Sequence, residues 1–384
     1  MNEFSHINNI LHNGNIVVST AHTPQYIYSP KQAVNNYNAF KKNLDGIPSL
    51  IAFSVKSCNN AEIVKALIEN GSGIDCVSLG EMKLAIKLGC DAEKIVLAGV
   101  GKTDEEILFA IEKGILQINV ESKEEMLVIQ ELANSIGKKV RIALRVNPHL
   151  KVESYTHEKI TTGKIGNKFG IDITDIPSTL DCLTQCGNLV FSGFSCHIGS
   201  QILDASLFEN AFEILTNLIQ ETERKGFVFQ TIDFGGGIGV QYSATDGIFN
   251  YARYTNAIKK CLSSIKSKPL AIFEPGRLIS YNCAILVSKV LYVKETSHTK
   301  FVIIDAGMHN LIRPAMYGSF HEISSVVIDD QKPKESYTIV GPICESSDIF
   351  LKNYTMQKLE RGNFIAILNA GAYGEVMSSN YNIR

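Results

Sequence analysis

Apolar runs and amphipathic stretches alternate along the chain from about residue 45 to residue 276. The apolar runs have the length of strands and read IAFSVK (51–56), GIDCVS (73–78), KIVLAG (94–99), LQINV (116–120), VRIALRVN (140–147), LVFSGFSCHI (189–198), QTIDFGG (230–236) and LAIFEPG (270–276). Between them, apolar residues spaced three and four apart predict helices over 61–70, 80–89, 104–114, 123–137 and 207–226. Continuous apolar strands between amphipathic helices are typical of a parallel sheet that helices cover.

Eight such strand–helix repeats fit a (β/α)₈ TIM barrel, which takes about 250 residues. A doubly wound open sheet has the same periodicity and stays open as an alternative. After Arg277 the helical period fades, and β-rich stretches follow at 284–295, 300–306, 337–341 and 363–369, with two more at 15–19 and 25–29. The sequence therefore predicts an α/β fold, with a barrel over 36–278 and a β-sandwich or β-barrel-like domain built from 1–35 and 279–384. The polar segment 151–168 is expected to be a loop or a lid.

Composition narrows the class of protein. The 384 residues are 45% hydrophobic, and 37 basic against 39 acidic residues leave a formal charge of −2, which gives no basic footprint for nucleic acid. No uninterrupted apolar run is long enough to span a membrane, and the N-terminus does not resemble a secretory signal. Nine scattered cysteines form no CxxC pair and no zinc-type spacing. We expect a cytoplasmic enzyme with neither a membrane nor a nucleic-acid partner and no metal.

Functional side chains of such barrels collect where the strands end. Lys56 ends an apolar strand, where a lysine is either a rim residue or a nucleophilic amine. Gly235 to Gly239 (GGGIG) can bring backbone N–H groups close to a phosphate, or can simply form a tight turn. His197 is either a site residue or a hydrogen-bonded core histidine.

Two further acidic positions stand out. Glu274 lies in the apolar segment IFEPGRL, where an unpaired carboxylate is costly, so we expect it to meet a cation: Arg277, Lys56 or a protonated ligand nitrogen. In the loop GPICESSD (341–348), Cys344 precedes Glu345. The pair is either part of a functional site or an inert cysteine beside a solvated acid.

The order of these motifs along the chain is specific. VKSCNN, HIGSQ, DFGGGIG, EPGR, DAGMHNLIRPAMYG, GPICESSDIF and GAYGEVMSSNYN together resemble the diaminopimelate decarboxylases. These enzymes belong to the fold type III pyridoxal-phosphate (PLP) proteins, with alanine racemase and ornithine decarboxylase. The resemblance extends from about residue 24 to the end of the chain.

The resemblance implies the following roles. Lys56 matches the lysine that attaches PLP, His197 the histidine that stacks on its ring, and Glu274 the acid that pairs with the pyridine nitrogen. The phosphate group is held by Gly235, Gly236 and Gly237, by the backbone of Pro275, Gly276 and Arg277, and by Ser200 and Tyr373. Because alanine racemases carry an arginine opposite the pyridine nitrogen, Glu274 favours decarboxylation over racemisation.

The family's substrate positions are matched by Arg277, Arg313, Tyr317, Glu345 and Tyr373. The distal end of meso-2,6-diaminopimelate carries an ammonium and a carboxylate, so it needs both an acidic and a basic partner. The implied reaction yields L-lysine and CO₂, the last step of lysine biosynthesis. Cys344, a proton donor in the family, and Glu345 are implied to come from the second subunit of a homodimer with shared active sites.

Two alternatives remain at this point. One is another decarboxylase of the same fold, acting on ornithine, arginine or carboxynorspermidine. The other is a PLP-binding homologue without catalysis, against which the intact set Lys56, His197, Glu274 and Cys344 argues. Family chains continue beyond the SSNYN motif, whereas this sequence stops at Arg384, so we expect either a truncated sequence or a version of the protein with a shortened β-domain.

Overall fold

The structure is a computed structural model that describes residues 22–150, 166–329 and 331–384. Two compact units make up the chain. The barrel unit comprises Val34–Val240 and Gly247–Ile279, and the sheet unit comprises the remaining segments, Gln241–Asp246 and Ser280–Arg384 among them. The strand expected at 15–19 and nearly all of the loop expected at 151–168 lie outside the described residues.

Eight parallel strands form the centre of the barrel unit. They are β2 (Ser49–Ser54), β3 (Gly73–Cys76), β4 (Ile95–Leu97), β5 (Gln117–Val120), β6 (Val140–Asn147), β8 (Leu189–Ser195), β9 (Thr231–Asp233) and β10 (Leu270–Phe273). Each strand pairs with the next, and β10 pairs with β2, so the sheet closes on itself. The short strand β7 (Ile171–Asp172) is added beside β6. The predicted TIM barrel is confirmed, and the open sheet is excluded.

Helices follow most strands of the barrel. They are α1 (Pro30–Asn43), α2 (Ala61–Glu69), α3 (Leu79–Lys87), α4 (Asp104–Lys113), α5 (Lys123–Ser135), α6 (Ile176–Leu183), α7 (Ala205–Arg224), α8 (Tyr251–Ser263) and the short α9 (Arg277–Ser280). Side-chain caps fix where several of them begin: Thr103 and Glu106, for example, form a reciprocal capping box at the start of α4. None of the helices in the described ranges is long and apolar enough to cross a membrane.

A chain of aromatic rings fixes the last two barrel strands against α7. Phe212 of α7 lies edge-on to Phe234 with ring centroids 4.8 Å apart, and Phe234 stacks on Phe273 at 5.6 Å. All three rings are almost completely buried. Since Phe234 follows Asp233 and Phe273 precedes Glu274, this packing holds the backbone of two acidic residues that reach the barrel's interior.

The sheet unit is built on one seven-stranded sheet. Its strands are β1 (Gln25–Tyr28), β11 (Ala284–Glu295), β12 (Lys300–Ile304), β13 (Ile323–Ser325), β14 (Lys334–Val340), β15 (Ile349–Gln357) and β16 (Phe364–Ile367). The long strand β11 pairs with β1, β12 and β16. The helix α10 (Arg313–Tyr317) lies in the segment between β12 and β13. A predominantly β unit drawn from both ends of the chain is thus confirmed.

Candidate active site

Lys56 follows β2 in a single 3₁₀ turn, Val55–Ser57. Its Nζ atom lies 2.5 Å from Oδ2 of Asp75, which β3 presents and which is completely buried. About a third of the Lys56 side chain is exposed (32%), so its amine is held by a buried carboxylate yet accessible. This favours the interpretation of Lys56 as a reactive amine over that of a rim lysine.

A cavity of about 210 Å³ opens beside Lys56. Phe169, which precedes β7, is part of its lining. The other lining residues come from the barrel strands or lie just after them, among them Lys56, Gly99, Asn119, Arg145, Ser195, His197, Gly235 and Glu274. These residues lie at the carboxyl ends of the strands, the position at which TIM barrels carry their active sites. The sequence-predicted Lys56, His197, Gly235 and Glu274 therefore share one cavity.

Glu274 meets a second acid and an amide. The Nδ2 group of Asn119 donates to Oδ2 of Asp233 at 2.8 Å and to Oε1 of Glu274 at 3.1 Å. Burial, followed by the charge of Asp233, raises the pKa of Glu274 well above its ordinary value. Burial also raises the pKa of Asp233. Two buried carboxylates that accept from the same amide group do not both ionise readily. The pair therefore retains a proton unless a cation binds beside it.

The cation expected next to Glu274 is not supplied by Lys56, because that ammonium forms its ion pair with Asp75. Nor is it supplied by Arg277, whose Nη2 donates to Oγ of Ser200 at 3.1 Å. Of the three cations considered from the sequence, a protonated ligand nitrogen fits the geometry. The buried Oδ1 atom of Asp75 likewise has no hydrogen-bond partner within the described part of the chain.

Histidine 197 is held as a neutral base. The backbone N–H of Gly236 donates to its Nδ1 atom at 3.1 Å, so Nδ1 carries a lone pair. Burial, and then the positive charges of Arg145 and Lys56, lower the pKa of His197 well below its ordinary value. A neutral, largely buried imidazole beside the cavity is suited to stacking on a flat ring, as the resemblance implies.

The three glycines after β9 are required by close backbone packing. A Cβ atom on Gly236 would lie 2.1 Å from the carbonyl oxygen of Glu274, and one on Gly237 would lie 2.3 Å from that of Gly199. Gly235 and Gly237 also have positive φ angles, 64° and 102°. The tight-turn interpretation thus accounts for these glycines by itself. Their contact with a phosphate stays a prediction, as do those of Ser200, Pro275, Gly276 and Arg277.

Sequence reasoning missed four polar residues that build this site: Asp75, Asn119, Arg145 and Asp233. Arg145 forms a buried ion pair with Glu121, and its guanidinium lies 5.0 Å from the centre of the Phe169 ring. The available signal was a single acidic residue within an otherwise uncharged strand, as in GIDCVS or QTIDFGG. In a barrel strand such a residue has to be satisfied by neighbouring strands.

The remaining predicted residues belong to the sheet unit. Arg313 begins α10 and is buried, whereas Tyr317 and Tyr373 are half-buried. Cys344 is exposed, and its backbone N–H donates to Oδ1 of Asn382 at 3.2 Å. Glu345 is exposed too, and its Oε1 atom accepts a hydrogen bond of 2.5 Å from the hydroxyl of Tyr381. The site roles of these five residues stay predictions.

Glu274 makes the stability of the cofactor-free protein depend on pH. Its raised pKa means that the folded state binds this proton more tightly than the unfolded chain. Stability from this group is therefore present below its unfolded pKa and is lost as the pH rises through its folded pKa. Since glutamine cannot ionise, we expect Glu274→Gln to gain stability relative to the unmodified protein as the pH rises above the ordinary glutamate pKa of 4.5.

Urea unfolding of the cofactor-free protein at several pH values measures this difference. Glu131→Gln, at an exposed position of α5, is the matched control and should give a difference that does not vary with pH. A Glu274→Gln difference equally independent of pH would show that Glu274 ionises normally in the folded protein.

Comparison with known proteins defines the class of this site. The family model described as pyridoxal-dependent decarboxylase, pyridoxal binding domain, matches residues 31–281. That span includes the whole of the barrel unit and every barrel residue predicted for the site. The fold and the site therefore define a pyridoxal-dependent decarboxylase.

Individual relatives narrow the class further. Diaminopimelate decarboxylase of Aquifex aeolicus (strain VF5) is 41% identical over 368 residues, 96% of this chain and 86% of that protein. The Bacteroides thetaiotaomicron enzyme of the same name is 40% identical over 372 residues, 95% and 94% of the two chains. The crystal structure of Helicobacter pylori diaminopimelate decarboxylase complexed with L-lysine superposes with a TM-score of 0.90 at 35% identity, covering 95% and 90%.

The chain belongs to the diaminopimelate decarboxylase family. The resemblance predicted from the motifs is confirmed, and so is PLP as the cofactor. The residues of the cavity fit that cofactor, because they provide an accessible amine at Lys56, a buried acid at Glu274 that forms no ion pair within the described ranges, and a neutral imidazole at His197.

Proposed function

We propose that this chain releases CO₂ from meso-2,6-diaminopimelate and forms L-lysine, the last step of lysine biosynthesis. The observation that carries the proposal is the cavity that places Lys56, in its ion pair with Asp75, together with the buried acid Glu274. Relatives about 40% identical over most of the chain bear the name of this reaction.

PLP supplies an electron sink for the electron pair that remains when a carboxylate leaves. Lys56 would hold the cofactor through its amine and would release it to the substrate amine. Glu274 would hold a proton on the pyridine nitrogen, which matches the raised pKa of a carboxyl that forms no ion pair with the described residues. The neutral ring of His197 would cover a face of the cofactor ring, and Ser200, Gly235–Gly237, Gly276 and Tyr373 would hold the phosphate.

Recognition of the substrate requires both signs of charge. In this proposal Arg277 and Arg313 bind carboxylate, Glu345 binds the distal ammonium, and Tyr317 and Tyr373 complete the contacts. An arginine matches a carboxylate with two parallel hydrogen bonds. A substrate whose tail carries a cation and no carboxylate leaves the buried Arg313 without its anion, so ornithine and arginine are expected to be poor substrates.

The complete enzyme in this proposal is a homodimer with shared active sites. Cys344 and Glu345 of the partner subunit enter the site, and the Sγ atom of Cys344 delivers a proton to the carbon that has lost CO₂. Their exposure in the single chain is compatible with a role at a subunit interface.

We further propose that the chain divides into a PLP-binding domain over 36–278 and a β-domain over 1–35 and 279–384, and that the enzyme is cytoplasmic. All nine cysteines are free, which supports a reducing compartment.

Comparing CO₂ release from meso-diaminopimelate, ornithine, arginine and carboxynorspermidine tests the proposal. We expect meso-diaminopimelate to be the preferred substrate and L-lysine to be the product. Faster release from one of the other amino acids would assign the chain to a different substrate. An absorbance band that borohydride removes, without CO₂ release from any of the four, would indicate a PLP-binding protein without this catalysis.

A further inference from the structure

The guanidinium of Arg313 is enclosed by three side chains of the sheet unit. Its Nη1 group lies 2.7 Å from Nε2 of His321, and its Nη2 group donates to Oγ of Ser319 at 3.4 Å. The central carbon of the guanidinium lies 4.7 Å from the centre of the Tyr242 ring. Arg313 and His321 are almost completely buried, with 3% and 2% of their surfaces exposed. This arginine is therefore held in one orientation.

The hydrogen bonds fix the protonation of His321. An arginine has donors and no acceptor, so Nε2 of His321 must accept from Arg313. On the other side of the ring, Nδ1 lies 2.9 Å from the carbonyl oxygen of Leu368, which can only accept. His321 is thus the neutral tautomer with its proton on Nδ1. Because Leu368 directly follows β16, His321 connects the end of that strand to the guanidinium of Arg313.

Tyr242 provides the second wall of this arrangement. Its ring stands edge-on to that of His321, with centroids 5.5 Å apart at 62°. The backbone N–H of Tyr242 donates to the carboxylate of Asp246 at 2.8 Å, which anchors the short segment Gln241–Asp246. The ring face of Tyr242 and the lone pair on Nε2 of His321 together restrict the orientation of the Arg313 guanidinium plane.

We propose that His321 is a positioning residue for Arg313 and thereby determines the preference for substrates with a distal carboxylate. The inference rests on the proposed role of Arg313 in binding that carboxylate. A bidentate contact depends on the orientation of the guanidinium plane, and binding is stronger when that orientation exists before the ligand arrives. His321 acts through Arg313 and contacts neither the reacting atoms nor the cofactor.

Two substitutions separate the acceptor from the shape of the ring. His321→Phe keeps a flat ring against Tyr242 but removes the acceptor for Arg313. In the holoenzyme we expect the KM for meso-diaminopimelate to rise about tenfold to a hundredfold, with kcat within about threefold of the unmodified enzyme. His321→Gln places an amide oxygen near the position of Nε2 and should restore KM to within about threefold.

Ligand binding gives a readout that does not depend on turnover. L-Lysine retains an ammonium and the distal carboxylate, whereas 1,5-diaminopentane lacks the carboxylate. By calorimetry with the holoenzyme, we expect His321→Phe to weaken L-lysine about tenfold to a hundredfold and to leave 1,5-diaminopentane unchanged. His298→Phe, at an exposed position of the same unit, is the control and should change neither.

Arg313→Gln distinguishes the inference from the function on which it rests. If Arg313→Gln does not weaken L-lysine, the proposed role of Arg313 is wrong. If it does, while His321→Phe binds L-lysine normally or loses both ligands equally, the positioning role is overturned. Should His321→Phe not fold, His321→Asn takes its place, because its amide nitrogen can still donate to Leu368 while the acceptor for Arg313 is lost.

Discussion

Lys56→Ala should lower CO₂ release at least about a thousandfold and abolish the borohydride-sensitive absorbance of the bound cofactor. In the proposed function the amine of Lys56 both attaches PLP and gives way to the substrate amine, so one substitution would remove two functions. Its accessible position in the barrel cavity and its pairing with Asp75 agree with this role. The CO₂ assay and absorbance spectra before and after borohydride measure the two losses.

Lys56→Arg is the matched control, because arginine keeps the positive charge beside the buried Asp75 but has no nucleophilic amine at ordinary pH. We expect it to be as inactive as Lys56→Ala yet more resistant to urea, since it leaves no unpaired buried carboxylate. A variant with alanine at position 56 that kept its activity and its absorbance band would remove Lys56 from the chemistry.

Glu345→Ala should weaken catalysis about tenfold to a hundredfold while leaving cofactor binding intact. In the proposed shared site, Glu345 pairs with the distal ammonium of the substrate, and Lys56 acts from the other subunit. Mixing Glu345→Ala with Lys56→Ala should then restore activity, because each heterodimer contains one site in which both residues are native. At random exchange half of the dimers are mixed, which gives roughly a quarter of the unmodified activity.

Glu360→Ala, at another exposed position of the sheet unit, serves as the control for losing an acidic side chain and should be fully active. Subunit exchange has to be demonstrated independently, for example with differently tagged chains. If exchange occurs and activity does not recover, Glu345 and Lys56 act within one subunit, and the shared-site proposal fails.

The barrel was largely predictable because its signal is local. Strand β6 (Val140–Asn147) has the bounds predicted from VRIALRVN, and α2, α4 and α5 end within two residues of their predicted limits. The helix α1 was not predicted, since PKQAVNNYNAFKKN is mostly polar, although Ala33, Tyr37 and Phe40 are buried and recur at helical spacing. Packing of this apolar face contributes most of the stability of such a helix.

The site was predictable only in part, because its electrostatics depend on pairs from distant strands. Lys56, His197 and Glu274 could be located at strand ends, and the resemblance supplied their roles. Asp75 could not be assigned, because its partner Lys56 becomes a neighbour only when β2 pairs with β3. The same applies to Asp233, which Asn119 joins to Glu274 across the barrel interior.

The strands β13 and β15 of the sheet unit show the same limit. β13 has three residues, too few for an alternating pattern to be visible. β15 reads IFLKNYTMQ, and several of its side chains are exposed, so its pattern is that of a polar segment. β13 forms a strand because it pairs with β16, and β15 forms a strand because it pairs with β14.

Strand β1 pairs with β11, from Gln25 opposite Val287 to Tyr28 opposite Ala284, so the entire barrel sequence separates two neighbours of one sheet. During synthesis at about 5–20 residues per second, the first strand leaves the ribosome roughly 10–50 s before its partner exists. Each barrel strand from β3 to β6, in contrast, meets its neighbour within one repeat. We therefore expect most of the barrel to assemble on the nascent chain and the sheet to close only near release. Until then β1 would be an unpaired strand, whose free backbone groups could bind a chaperone or another nascent chain.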